Sequence, residues 1–203
     1  MDKVKLVIDP GHGGDDPGAV NGALREADVA LRVSHALKDV LDTHPEYEVS
    51  LTREGDTTVP LSARTGLANR LDAYLVSIHC NAAENKSAHG AEVWCFANTD
   101  TDGAESLGHR LAGAIQDGLV SLGLADRGVK AIYDVRQKKY VGRKLWVLRK
   151  TKRPAVLVEC GFISNSDEAA RLGDIHGDFR HRLAVAVFRG IDKTLNQKGG
   201  DNG

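Results

Sequence analysis

The chain has 203 residues, of which 41% are hydrophobic and 27% are charged, and its formal net charge at pH 7 is -1. This length suits one well-buried α/β domain and is short for two. The near-neutral charge argues against a polyanionic partner for the molecule as a whole, and no apolar run reaches the ~20 residues of a membrane-spanning helix. The three cysteines form no CxxC pair, so Cys80, Cys95 and Cys160 are predicted to be packed free thiols.

Hydrophobic patterning predicts strands that alternate with helices along the chain. The strands are predicted at residues 3–9, 49–53, 74–79, 91–96 and 155–159, and the helices at 26–43, 61–71, 102–122 and 179–195. Pro60 begins the second helix, and Asp102 and Glu105 have the spacing of a capping box. The alternation predicts a single-domain, three-layer α/β fold with a mostly parallel central sheet flanked by helices. We expect this domain to span residues 1–196, with 197–203 as a flexible tail or the start of a linker.

Polar residues that can bind a metal stand at the ends of these strands. His12 follows the first strand, while His79 and Glu159 end two others. Glu26 opens the first helix, after a glycine-rich loop. Because ligands of open α/β sheets collect beyond the carboxyl ends of the strands, we expect these side chains to meet. Two imidazoles and one carboxylate form a complete ligand set for catalytic zinc, with the fourth position left for water.

Each of these residues also has a simpler explanation when it is taken alone. A single histidine is more often a hydrogen-bonded core residue, and Glu26 is a charge that a helix N-terminus favours. The loop at residues 9–14 follows a strand but lacks the Gly-Lys-Ser/Thr ending of a phosphate-binding loop. Glu159 is harder to explain in this way, since burying a carboxylate after an apolar run is costly without a strong partner. The combination at matching strand ends therefore favours a metal centre.

Several segments then identify a family. They are residues 7–14 (VIDPGHGG), 51–53 (LTR), 77–82 (SIHCNA), 126–130 (DRGVK) and 154–165 (PAVLVECGFISN). Through these segments the chain resembles the zinc-dependent N-acetylmuramoyl-L-alanine amidases of the type-3 family, which cleave bacterial peptidoglycan. The segments stand in the family's order, and the resemblance runs from about residue 5 to about residue 195. The resemblance implies that His12, Glu26 and His79 bind one zinc ion and that Glu159 is the catalytic acid/base. It also implies that Asn81 orients part of the site.

The resemblance further implies the bond that is cleaved, the amide between the lactyl group of N-acetylmuramic acid and the first L-alanine of the stem peptide. Two other functions remain as alternatives. One is a zinc peptidase or carboxypeptidase that shortens stem peptides, and the other is an inactive wall-binding module. The complete set of His12, Glu26, His79 and Glu159 argues against the inactive module, because a binding module needs no acid/base beside a metal.

Regulated members of the family are similar to this chain but carry a long helical insertion after the segment that corresponds to residues 77–82. Residues 82–90 are too few for such an insertion, so we expect an enzyme that is active without an activator. We also expect the protein to be a monomer. The chain runs from Met1 straight into a strand, without an apolar signal segment. We interpret it as a phage endolysin made in the cytoplasm, or as a catalytic domain excised from a longer wall-acting protein.

One stretch of the chain is strongly basic. Between Arg136 and Arg153 lie nine basic residues and no acidic one, interleaved with Tyr140 and Trp146. The simplest explanation is a solvated loop or hairpin face. The functional interpretation that we favour is attraction to acidic polymers of the cell wall or to stem-peptide carboxylates. Nucleic acid is disfavoured as a partner, because the stretch matches no nucleic-acid-binding module.

Overall fold

A computed structural model describes residues 2–97, 99, 105–135, 137–141 and 145–196. The strands within these residues are β1 (Val4–Pro10), β2 (Val20–Asn21), β3 (Leu24–Arg25), β4 (Tyr47–Leu51), β5 (Tyr74–Asn81), β6 (Ala91–Ala97), β7 (Asp126–Asp134), β8 (Lys139–Tyr140) and β9 (Ala155–Phe162). The helices are α1 (Glu26–Asp42), α2 (Leu61–Leu71), α3 (Leu107–Val120), α4 (Trp146–Lys150), α5 (Ser166–Gly173) and α6 (Phe179–Leu195). The predicted linker at 197–203 lies outside the described residues.

Seven strands form one sheet in the order β4-β1-β5-β9-β6-β7-β8, and β2 and β3 form a separate small hairpin. The neighbours β4, β1, β5 and β9 are parallel, β6 is antiparallel to β9, and β7 is parallel to β6. All eight residues of β9 are buried, as expected for a central strand covered on both faces. The mostly parallel central sheet that the sequence predicts is therefore confirmed.

Helices cover the two faces of the sheet unequally. One face packs against α1, α3 and α6 and forms the larger core, in which Leu37, Leu111 and Val187 are fully buried. The other face packs against the shorter helices α2 and α4, around Leu75 and Leu157. These layers confirm the predicted three-layer arrangement. None of the described helices combines the length and the hydropathy that crossing a bilayer requires.

The predicted start of the third helix is wrong. The helix begins at Leu107, and Ser106 caps it by accepting a hydrogen bond from the backbone N–H of His109. Glu105 therefore lies before the helix and cannot be the capping-box residue of its first turn. Asp102 lies outside the described residues. The Ser106 hydroxyl also donates to the carbonyl of Ala97 at 2.6 Å, which ties the start of the helix to the end of β6.

The cysteines are free and buried, as predicted. Burial raises the pKa of all three thiols, and that of Cys95 rises to about 12. The basic stretch contains more structure than a loop or hairpin face, because it includes β8 and α4. Within α4, Val147 and Leu148 are buried against the sheet. Arg136, Arg143 and Lys144 lie outside the described residues.

The contact between α3 and α6 depends on a glycine. A Cβ placed on Gly190 would lie 2.6 Å from the backbone nitrogen of Ile115, whereas one placed on Gly113 would have no atom within 4 Å. We expect Gly190→Ala to lower the free energy of unfolding by ~1–3 kcal/mol, because the helices must separate. The control Gly113→Ala should raise the free energy of unfolding by ~0.5–1 kcal/mol, since an added methyl group meets no atom there and alanine is favoured over glycine within a helix. Urea denaturation measures both, and equal effects of the two substitutions would contradict this account of the contact.

Candidate metal centre and active site

The loop after β1 has a strained backbone that carries His12. The φ of His12, +58°, is in the left-handed region, which residues with a Cβ rarely adopt. Gly13 and Gly14 also have positive φ. Gly11 approaches the ring of His79 so closely that an added Cβ would lie 2.4 Å from its Cε1 atom. Such a backbone persists only where its surroundings hold it in place.

Arg53 supplies part of that support. It donates to the carbonyl of Pro10 at 3.0 Å and to those of Gly11 and Ala27 at 2.8 Å each, and it is only 4% exposed. Burial lowers the pKa of this guanidinium, and the nearby charge of Arg64 lowers it further. Arg53 thus joins the loop after β1 to the first turn of α1.

Arg64 on α2 supports the same loop. It forms a buried ion pair with Asp9 at 2.7 Å and donates to the carbonyls of Pro10 and His12 at 2.6 Å each. The Asp9 carboxylate also accepts hydrogen bonds from Thr52 and Ser77. This network fixes the backbone on both sides of the turn. The two guanidiniums together determine where the His12 side chain lies.

Three side chains that can bind a metal meet at the carboxyl ends of β1 and β5. A Glu26 oxygen lies 2.9 Å from Nδ1 of His79 and 3.1 Å from Nε2 of His12, and one ligand atom from each residue falls within 4.8 Å of the others. Zinc bonds of ~2.0–2.2 Å would separate tetrahedral ligand atoms by roughly 3.4 Å, close to these distances. Two imidazoles and a carboxylate therefore fit zinc in both chemistry and spacing.

Glu26 is held firmly at the start of α1. One of its oxygens accepts the backbone N–H of Cys80 at 3.0 Å, and the other accepts that of Ala19 at 2.9 Å. Burial alone would raise the pKa of this carboxyl, but its hydrogen bonds with His12 and His79 hold the pKa far below the ordinary value. A lowered pKa favours the ionised carboxylate, the form that can bind a metal.

His12 has a second carboxylate partner, which the sequence analysis did not identify. Its Nδ1 lies 2.8 Å from an oxygen of Asp16, on the side of the ring away from Glu26. Burial would lower the pKa of His12, but hydrogen bonds with Glu26 and Asp16 outweigh burial and raise the pKa to about 9. A metal ion would displace the proton shared with Glu26, while Asp16 would keep the ring oriented.

Glu159 lies beside the metal centre, on the neighbouring strand. It is the register partner of His79 on β5 and of Glu92 on β6, and it is 5% exposed. Cys80 and Cys160 belong to the larger core on the opposite face of the sheet, as the alternation of side chains along a strand predicts. Neither thiol can therefore serve as a nucleophile at this site.

Asn81 follows the metal centre at the end of β5. Its amide donates to Glu92 at 3.0 Å, and its oxygen accepts the N–H of Ala82. A cleft of about 480 Å³ lies on the other side of His79 and is lined by residues that include His12, Arg64 and Trp146. The site thus has an acidic row on one side and a partly apolar cleft on the other.

Residues 6–193 match the family described as N-acetylmuramoyl-L-alanine amidase. The chain belongs to this family. The family match confirms the family that the sequence segments identified, which is a family of amidases and therefore of hydrolases. It also agrees with the site, because the residues that the resemblance implied as ligands are the ones that the fold brings together.

Individual relatives agree with the family assignment. The chain is 36% identical over 197 residues to the endolysin of Bacillus phage SPP1, covering 96% of this chain and 67% of that protein. It is 30% identical to the probable N-acetylmuramoyl-L-alanine amidase AmiB of Haemophilus influenzae, covering 93% of this chain but spanning only 51% of that longer protein. The catalytic domain of the amidase CwlV from Bacillus (Paenibacillus) polymyxa var. colistinus superposes with a TM-score of 0.82 at 32% identity, covering 96% of this chain and 99% of that domain.

The roles of the two arginines can be tested by removing one of them. Arg64→Gln loses a buried ion pair and leaves Asp9 uncompensated, so we expect it to lower the free energy of unfolding by ~3–5 kcal/mol. Zinc affinity should fall as well, because the carbonyl of His12 loses its donor. The control Arg70→Gln, at an exposed position of the same helix, should change stability by less than ~0.5 kcal/mol. Thermal unfolding and zinc titration measure both effects, and a stable Arg64→Gln protein with normal zinc affinity would refute the assigned role.

Proposed function

We propose that this amidase hydrolyses the bond between N-acetylmuramic acid and L-alanine in bacterial peptidoglycan, with His12, Glu26 and His79 as ligands of one zinc ion and Glu159 as the catalytic acid/base. The observation that carries the proposal is the convergence of three metal-capable side chains directly beside a buried carboxylate. The family match supports the substrate class.

The division of roles follows from chemistry. Zinc, when bound, acts as a Lewis acid and lowers the pKa of water toward ~7. Glu159 accepts a proton from the attacking water and passes it to the alanine nitrogen, because an amide nitrogen leaves only after it is protonated. Asp16 holds the ring of His12 in orientation through the nitrogen that does not face Glu26. No side-chain nucleophile is needed.

The segment between β5 and β6 supports activity without an activator. Residues 82–90 form turns, and all of them lie among the described residues. Their path is fixed locally, since Ala83 donates to Ser164 and Gly90 donates to the buried carboxylate of Glu168. We infer that no inserted helix from this segment blocks the approach of substrate to the metal centre.

We further propose that the basic stretch steers the enzyme to acidic wall polymers. Lys138, Lys139 and Lys152 are exposed, which supports such a role. Two other cations of the stretch are engaged in local packing, because Arg149 lies over the ring of Tyr140 and Arg153 over that of Tyr74. The exposed lysines are therefore the residues to test.

Products and metal content test the main proposal in one experiment. Purified peptidoglycan is digested with the zinc-loaded enzyme, and the fragments are identified by mass spectrometry, with a chelated sample as the control. The expected products are intact stem peptides with a free L-alanine amino group, and the chelator should abolish their release. Shortened stem peptides would instead support the zinc peptidase, and the absence of any product would leave the wall-binding module.

The same assay separates the metal ligands from the acid/base. Glu159→Gln should lose ~10²–10⁴-fold in turnover while keeping its zinc, because a general acid/base contributes about that factor. His79→Ala should lose both zinc and activity, because only two protein ligands remain. Elemental analysis measures the metal. Loss of zinc in Glu159→Gln, or near-normal turnover, would show that the roles are assigned wrongly.

Salt dependence tests the steering proposal. Screening shortens electrostatic attraction to ~8 Å at physiological ionic strength, so the rate on whole walls should fall as salt is added. The double substitution of Lys138 and Lys139 by Gln should flatten this dependence. The matched control replaces the exposed Lys3 and Lys5 by Gln, which makes the same change in charge elsewhere and should leave the dependence intact. Identical salt profiles for the two double variants would identify the stretch as an ordinary solvated face.

A further inference from the structure

The row of side chains at the edge of the sheet continues beyond Glu159. His79 is the register partner of Glu159, which is in turn the register partner of Glu92. Register partners on neighbouring strands project from the same face, so the three side chains stand in line. Because neighbouring strands lie ~4.8 Å apart, the row extends ~10 Å from the metal centre toward β7.

Arg127 on β7 stands at the end of this row. Its Nε donates to Glu92 at 3.1 Å, and its guanidinium lies 4.8 Å from the centroid of the Phe162 ring. The second Glu92 oxygen accepts hydrogen bonds from Asn81 and Trp94, so the carboxylate that anchors Arg127 is itself fixed. The Arg127 side chain nevertheless stays 39% exposed, and within the described part of the chain its two terminal nitrogens donate no hydrogen bond. Arg127 is thus a preorganised cation with donors open to a ligand.

The direction of the row matches the leaving group of the proposed reaction. If Glu159 protonates the alanine nitrogen, the stem peptide extends from the metal centre toward Glu92 and Arg127. The cleft lined by His12 and Trp146 lies mainly on the other side, next to β1 and α2, where the muramic acid would be placed. The end of the row therefore faces the first residues of the stem peptide.

We propose that Arg127 binds the free carboxylate of the stem-peptide residue that follows L-alanine, and thereby favours stem peptides with a carboxylate at that position over those with a carboxamide. This inference rests on the proposed amidase function. An extended residue spans ~3.5 Å, so this carboxylate lies ~7 Å from the scissile nitrogen. One strand spacing from Glu159 to Glu92, followed by the contact with Arg127, gives a comparable ~8 Å. The end of a guanidinium offers two parallel N–H groups, a geometry that matches a carboxylate.

A matched pair of soluble substrates tests this proposal. N-acetylmuramoyl stem peptides are prepared with either D-isoglutamate or D-isoglutamine after L-alanine, and kcat/KM is measured for the zinc-loaded enzyme. Wild type should prefer the carboxylate about tenfold or more, chiefly through KM, as expected for a charge-assisted hydrogen bond. Arg127→Gln keeps an amide that can still donate to Glu92, and it should bring the preference close to one. Arg127→Lys should retain part of it.

Two controls separate recognition from structure and from the general field of charge. Lys130→Gln removes a positive charge from the same strand and should leave the preference unchanged; an equal loss in this variant would overturn the proposal. Zinc content and melting temperature are measured for each variant. Calorimetry measures the binding of the product dipeptides L-alanyl-D-isoglutamate and L-alanyl-D-isoglutamine. It should show the same preference without turnover.

The possible failures are distinguishable. If the wild-type enzyme cleaves neither substrate, the proposed function itself fails. If the wild-type enzyme is active and its preference is the same in Arg127→Gln, only the assignment of the carboxylate site to Arg127 is overturned.

Discussion

The candidate site depends on two buried guanidinium groups that hold a short turn. The turn after β1 leaves the sheet at Pro10, and the carbonyls of Pro10, Gly11 and His12 accept hydrogen bonds from side chains. Arg53 and Arg64 are these donors and share the carbonyl of Pro10, and Asp9 balances the charge of Arg64. Because unpaired buried carbonyls are costly, the turn cannot relax while both arginines are in place. His12 keeps its left-handed backbone for this reason.

The reversal of one strand completes the site. The strands β1, β5 and β9 are parallel and end at the same edge of the sheet, which brings His79 and Glu159 together. The strand β6 is antiparallel to β9, so its beginning lies at that edge. Glu92 near the start of β6 and Arg127 near the start of β7 therefore extend the row that parallel strands alone would have ended. A wholly parallel sheet would place both residues at the opposite edge.

The sequence predicts the parts of this site that follow from periodicity. His12, His79 and Glu159 end or follow apolar runs, and the rule that ligands gather at strand ends was enough to group them. The contacts of Asp16, Arg64 and Glu92 depend on loop geometry and on pairs distant in sequence, which single-sequence patterns do not record. The helices α4 and α5 are too short to establish a helical period. The predicted capping box was wrong because the helix begins at Leu107 and is capped by Ser106, so that Glu105 lies before its first turn.

One face of the sheet carries the larger hydrophobic core and the other carries the candidate site, and Glu26 connects the two faces. The helices α1, α3 and α6 bury most of the large side chains on one face, where the cysteines are inert. His79 and Glu159 project from the other face, which two short helices cover only partly. Glu26 belongs to α1, on the side of the larger core, yet its carboxylate reaches His79 near the end of β5. The packing of α1 therefore sets the position of Glu26 relative to His12 and His79, so that a change in the core far from the site can alter the geometry of the proposed metal site without touching any of the three residues.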